Sequence, residues 1–360
     1  MSLGGGNKRS AERPGVSVKE KLTEPPEQYT GSINAVEQRR TPIAAFIAKH
    51  VSAYAVIGVW LLFIIVYGAL VPETFLTAGT FRTIIGSQQN TALIFLCAAL
   101  LCTIIVGEFV DMSVASNFGL SAVIVPTLVV HQDWNAWTAA IVAVVVSTAV
   151  GALNGWLVVR LGVNTIVVTL GMGTFLLGIG LWITNMTSVF GLPREFSQVA
   201  LFPIGTIPIG FFYGLVLMLF FAYVLQFTPL GRNMRFVGEN REVSRLSGVR
   251  VTRIRFGAFT FAGLIAGIGG VIVTAGTGGY DATVSQMYLL PIFAATFLGS
   301  AILQPGRFNP LGTLIAIFFL STGVIGLQML GAAGWVQNVF YGGVLVIAVT
   351  ISTVLHRRTR

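Results

Sequence analysis

Charge is scarce in this chain. Only 10% of its 360 residues are Asp, Glu, Lys or Arg, against about 25% in a soluble globular domain. That is too little to cover a water-exposed surface, so a soluble globular protein is excluded. Cysteine occurs twice and histidine three times. Two thiols cannot staple a disulfide-rich secreted domain, and three dispersed histidines disfavour a structural zinc site. No Gly-x-x-x-x-Gly-Lys-Ser/Thr segment occurs anywhere, so any ATP hydrolysis coupled to this chain belongs to another polypeptide. Neither a His/Cys/Asp cluster nor a positioned Ser–His pair argues for an intramembrane enzyme. No catalytic residue, metal or bound cofactor is expected.

Apolar residues are abundant. Hydrophobic residues make up 54%, with 42 Gly and 26 Phe, and the mean hydropathy is +0.82. This is the composition of an all-α polytopic membrane protein with closely packed helices. Residues 1–50 are the one long polar stretch. They hold a Gly triplet, a Pro pair and mixed charges, and read as a disordered tail with at most one amphipathic turn near Ile43–Ala48. The apolar region begins too late and runs too long for a cleavable signal peptide.

From Ser52 onward there are ten apolar runs, about 52–71, 89–107, 112–130, 136–158, 164–184, 208–227, 254–276, 287–303, 310–329 and 335–355. Each approaches the roughly 20 residues needed to cross about 30 Å of hydrocarbon. The eighth is short and contains Pro291, Gly299 and Ser300, as a broken or re-entrant helix would. Residues 80–88 suggest a further half-helix. With both termini inside, every Lys and Arg except Arg82 and Arg194 lies in or beside an inner segment, as the positive-inside rule requires. One span more or fewer would strand the seven arginines from Arg232 to Arg255 opposite the tail. The net charge of +9 therefore follows from topology and does not call for nucleic acid. The expected organisation is a cytoplasmic tail over 1–50 and a membrane domain over 51–360, with ten spans and both termini cytoplasmic.

The inner loop, 228–253, carries the most information. Asn240 is placed to cap a helix beginning near Arg241, and Gly248 to stop it. A helix of about two turns follows, with Val243 and Leu246 on one face and Arg241, Glu242 and Arg245 around the others. Alone in water so short a helix is unstable. It must lie against anionic headgroups or against a cytoplasmic partner, and the residues leave both open. The longest outer loop, about 185–210, contains Pro193, Pro203 and Pro208 and is expected to be structured by turns as a docking surface or lid.

Gly231-Arg232, Gly238, Asn240 and Arg245-Leu246-Ser247-Gly248-Val249, followed by a Gly/Ala-rich span, resemble the permease subunits of bacterial ABC importers of the ribose, xylose and galactose type. The order continues with Phe75-Leu-Thr, Asn90, Gly107-x-x-x-Asp111-Met-Ser113-Val-x-Ser116, Gly151-Ala-Leu-Asn-Gly155, Thr165-Ile-Val-Val-Thr-Leu-Gly171, Ala294-Ala295-x-x-Leu298-Gly299 and Gly306-Arg307-x-x-x-Leu-Gly312-Thr-Leu. The resemblance covers about residues 72–350. It departs at Leu289 and Pro291, where the family usually carries acids, at Ser300 in place of a glycine, and at Val243-Ser244 in place of an Ala pair. The sugar, and whether the second permease subunit is identical or different, stay open.

The resemblance implies a multi-pass permease of the bacterial inner membrane. Two such subunits, normally a homodimer, would surround a translocation path for a monosaccharide or similar small polar solute. A separate cytoplasmic ATPase, holding the ATP and magnesium, would dock on Arg232, Asn240, Arg241, Glu242, Arg245, Leu246, Ser247 and Gly248. An external solute-binding protein would deliver the sugar.

Polar groups in or near spans are candidates for the path, since a sugar hydroxyl stripped of water needs a partner. These are Asn90, Glu108, Asp111, Ser113, Ser116, Asn117, Asn154, Asn164, Thr165 and Thr169. Each has a structural alternative as an interhelical hydrogen bond, and Asp111 has one as a cap on the third span. A second function class is a proton-coupled carrier that uses Glu108 or Asp111. Both acids fall at a span end, and the two halves share no repeated motif. The small residues of Ala262–Gly270 read as a packing face, and Cys97 and Cys102 as buried apolar fillers.

Overall fold

The computed structural model describes residues 42–107, 110–304 and 306–358, with side chains between 56 and 350. The tail expected to be disordered lies outside the described residues as far as residue 41, and Glu108 lies outside them too. The contacts divide the chain between Ala48 and Lys49, and the packing below is that of residues 49–360.

The protein is all-α and polytopic. Eight of its helical segments are long and apolar enough to cross a membrane, and Val56–Leu70 and Gly334–Thr350 are shorter apolar helices. In chain order the elements are α1 (Pro42–Leu70), α2 (Pro72–Phe75), α3 (Ala78–Gly86), α4 (Gln88–Ile105), α5 (Val114–Gln132), α6 (Ala136–Gly155), α7 (Thr165–Ile183), α8 (Arg194–Leu201), α9 (Ile209–Phe227), α10 (Pro229–Glu239), α11 (Arg241–Leu246), α12 (Val251–Thr277), α13 (Leu289–Gly299), α14 (Pro310–Met329) and α15 (Gly334–Arg358). All ten apolar runs coincide with helices. The first helix starts at Pro42, ahead of the apolar run that begins at Ser52. The half-helix at 80–88 is α3, separated from α4 by Ser87, which is extended and caps α4 through Asn90 N–H.

The eighth run is broken, as its Pro and Gly content suggests. A 3-10 segment over Ala282–Tyr288 leads into α13, which has only 11 residues. At 1.5 Å per residue α13 covers about half of a 30 Å hydrocarbon core.

α4 is apolar all round and lies at the centre: from Ala92 to Cys102 no residue is more than 3% exposed. A helix without a polar face has to be enclosed by others. α12 packs against α4, α5 and α6, and its glycines permit this. A Cβ on Gly263 would lie 2.6 Å from the Ser147 carbonyl oxygen, and one on Gly151 2.5 Å from that of Phe259. At that separation serine hydroxyls cross-link the helices: Ser147 Oγ donates to Gly263 O at 2.8 Å, and Ser121 Oγ to Gly267 O at 2.8 Å. The small-residue face of the seventh span is thus a packing face. Cys97 and Cys102 are buried and free.

The connecting segments gather at two ends of the bundle. At one end Gly107, α10, α11 and Arg307 meet. Arg241 Nη2 donates to Gly107 O at 2.6 Å, and Arg307 bonds Glu239 at 3.2 Å. These segments come from three separate pieces assigned to the inner side. At the other end the strand Val189–Phe190 pairs antiparallel with Gly279–Tyr280, and Pro203–Ile204 with Ile207–Pro208. The loop expected to hold only turns also contains α8, anchored by Phe196 and Ala200, both buried. Ser188 Oγ donates to Asp281 Oδ2 at 2.6 Å. Asp281 Oδ1 also accepts from Thr283 N–H and Oγ, at 2.8 and 2.6 Å. These donors hold the Asp281 carboxyl below the usual carboxylate range.

Candidate functional site

Two regions carry the chemistry that the sequence singles out, one on the Arg-rich surface and one inside the bundle.

On the surface, Thr228 caps α10 by accepting from Gly231 N–H at 3.2 Å, with Pro229 at the first helical position. Two glycines let α10 sit close on backbone: Gly231 against Val224 and Leu225, Gly238 against Ile105 and Gly107. This helix is absent from the sequence-based reading, although a Thr-Pro start is a legible signal. α11 then forms as expected. Asn240 Oδ1 accepts from the N–H of Glu242 and Val243, each at 3.1 Å, and Gly248 ends the segment at φ +82°.

The Arg241 bond to Gly107 O and Ser244, which is 0% exposed, help seat α11. Everything else points outward. Leu246 is 81% exposed and Val243 46%, while Arg245 and Glu242 pair at 2.9 Å on the open surface. An exposed pair of this kind contributes little to stability. Arg232 and Ser247 are exposed as well. The result is a fixed helix presenting an apolar knob and a charge pair.

Inside the bundle, the start of α5 gathers polar side chains from four elements. Asp111 Oδ1 accepts from Ser113 N–H at 2.9 Å and from its hydroxyl at 2.7 Å. Asn154 of α6 donates through Nδ2 to Ser113 Oγ at 2.8 Å. Gln286 of the 3-10 segment donates to Ser116 Oγ at 2.7 Å, and Asn117 Nδ2 to Ser147 O at 3.0 Å. Thr169 Oγ1 accepts from Met112 N–H at 3.1 Å. Gly173 lets α7 approach, since a Cβ there would sit 3.4 Å from both Met112 O and Ser116 Oγ. Asp111, Ser113, Ser116, Asn117, Asn154 and Thr169 are all at most 4% exposed. Two carbonyl oxygens in this cluster, Asn117 Oδ1 and Asn154 Oδ1, are buried without a partner. Buried polar atoms are nearly always satisfied, and among the described residues these two acceptors are exceptions.

The remaining candidates separate from this cluster. Asn90 is committed to the fold: its Nδ2 donates to Ile84 O, and its Oδ1 accepts from Ser321 Oγ at 2.5 Å. Asn164 is an exposed cap of α7, accepting from Ile166 N–H at 2.9 Å. Thr165 is buried in the first turn of α7. Ser147 and Gln286 join the cluster with no local signal in the sequence, because they come from distant elements.

Residues 84–349 match a family described as branched-chain amino acid transport system / permease component. Similar proteins include the D-allose transport system permease protein AlsC of Escherichia coli (strain K12), 26% identical over 304 residues, covering 84% of this chain and 92% of that one. The ribose import permease protein RbsC of the same strain is 28% identical over 297 residues, covering 81% and 90%. The autoinducer 2 import system permease protein LsrD of Salmonella paratyphi B (strain ATCC BAA-1250 / SPB7) is 26% identical over 274 residues, covering 73% and 82%. No solved structure matches.

Proposed function

The chain belongs to the branched-chain amino acid transport system / permease component family, a family of membrane transport subunits, and from that premise we propose an ATP-driven importer of a monosaccharide or similar small polar solute. In this reading the Arg-rich end faces the cytoplasm of a bacterium and the membrane is the inner one. A separate ATPase docks on α11, and an external solute-binding protein delivers cargo to the end that carries α8 and the paired strands. A second permease chain completes the path. The similarity to permeases named for ribose, D-allose and autoinducer 2 supports a small hydroxylated cargo. In this reading the buried cluster of Ser113, Ser116, Asn117 and Asn154 exchanges its internal hydrogen bonds for the solute's hydroxyls when the path opens.

The observation that carries the coupling role is the arrangement of α11. It is tied to the bundle by Arg241 and Ser244 and presents Leu246 at 81% exposure. A leucine held out on a fixed helix is best explained by a partner that covers it. The test is Leu246→Asp, with Arg245→Glu beside it. Each variant is expected to insert and fold as wild type, to lose the co-purifying ATPase and to lose uptake. Normal uptake in both variants would end the docking role.

A further inference from the structure

An apolar groove of about 450 Å³ runs between α9, α10 and α12, beside Cys102 of α4. Its walls include Leu217, Val224, Met234, Gly257 and Ile265, and the one charged residue lining it is Arg253. A sugar would find no hydrogen-bond partner along these walls. From Arg253 to Ile265 is twelve helical residues, about 18 Å at 1.5 Å per residue. That is on the order of half the ~30 Å hydrocarbon core, the depth of one leaflet. Gly257 keeps the middle open, and a Cβ there would meet nothing within 4 Å.

We propose that this groove binds one acyl chain of an anionic phospholipid, with the lipid phosphate at the Arg253 guanidinium. Arg253 is exposed, and among the described residues no carboxylate pairs with it. It stands at the Arg-rich end, next to Arg250 and α10. Arginines clustered where spans leave the membrane attract anionic headgroups. The lipid explains both halves of the site, since the chain needs the apolar walls and the phosphate needs the unpaired cation. A second copy of this chain fits less well. The described acids at this end that reach the surface are Glu239 and Glu242, and they already bond Arg307 and Arg245.

The proposal does not depend on the transport reading, and loss of the Leu246 result would leave it intact. It is tested on the purified full chain by native mass spectrometry, after mixing with phosphatidylglycerol or phosphatidylcholine of the same acyl composition. Wild type is expected to retain one phosphatidylglycerol per chain and to prefer it over phosphatidylcholine by about fivefold, the effect of one Arg near an anionic surface. Arg253→Gln removes the preference, and Arg253→Lys keeps it. Gly257→Phe fills the groove and loses the retained lipid. Equal retention of the two lipids by wild type, or unchanged phosphatidylglycerol retention in both Arg253→Gln and Gly257→Phe, overturns the site. Loss of self-association in Gly257→Phe with lipid retention unchanged would make the groove an interface between copies instead. Arg253 lies on the surface, so its variants fold even if Gly257→Phe does not.

Discussion

Asn240→Ala isolates what holds α11 in place. The Asn240 carboxamide accepts two backbone N–H groups at 3.1 Å, and removing such a cap costs ~1 kcal/mol, about fivefold in the folded population of the helix. With six residues the helix has no stability of its own to offset the loss. A second tether is the Arg241 bond to Gly107 O at 2.6 Å, a charge-assisted bond whose removal costs about 2 kcal/mol, or roughly thirtyfold. Hydrogen exchange of the full chain in lipid nanodiscs reads these directly. Protection of amides 242–247 is expected to fall about fivefold in Asn240→Ala and roughly thirtyfold in Arg241→Ala, with α10 and α12 unchanged. Asn240→Asp keeps the acceptor and keeps protection. If these amides exchange as in wild type in both alanine variants, the helix is held by something other than its cap and its arginine.

Other perturbations test the core, the end that carries Asp281 and the buried polar cluster. Gly263→Leu drives a side chain into the Ser147 carbonyl, at most 2.6 Å from the new Cβ. It is expected to lower stability by at least ~1–3 kcal/mol, seen as a fall in thermal unfolding temperature in detergent, whereas Gly58→Ala, which meets nothing within 4 Å, leaves it in place. The Asp281 carboxyl, depressed by Ser188 and Thr283, stabilises the latch it forms with Ser188 above the ordinary carboxylate pKa of about 4 and stops doing so as pH falls through its lower folded value. Exchange of residues 186–191 should therefore rise in acid, and Asp281→Asn should show raised exchange at all pH values. Unchanged exchange would refute the latch. Asn154→Leu removes an unpartnered acceptor together with the buried 2.8 Å bond to Ser113 Oγ, so thermal stability should fall by about 1–3 kcal/mol and uptake per folded molecule should slow; lost stability with unaltered uptake per folded molecule would make the cluster purely structural.

Much of this protein is legible without coordinates, for a particular reason. A helix in lipid must be apolar over a fixed length, so spans such as Thr165–Ile183 and Pro310–Met329 show directly as hydropathy. Caps are local too, and Asn240 and Gly248 act where the sequence puts them. α10 was legible in principle, because Thr228-Pro229 is a local start signal, yet the surrounding charge makes the segment resemble a plain loop.

The candidate path was not legible in the same way. Asn90, Asn117 and Asn164 look alike as polar residues near spans. One is consumed by Ser321 and Ile84, one is buried with an acceptor to spare, and one is an exposed cap. Which role each takes depends on what another helix brings, through a separation of 30 residues for Asn117–Ser147 and 170 for Ser116–Gln286. The sequence by itself determined the apolar helices, the clustering of arginines between them and the short helix α11, because length, charge and capping act within a few residues. Only the tertiary structure decided which buried polar atoms are satisfied and which are left open, and where α9, α10 and α12 leave a groove. Those outcomes belong to pairs of distant surfaces, and their geometry is set by how closely glycines let the helices approach.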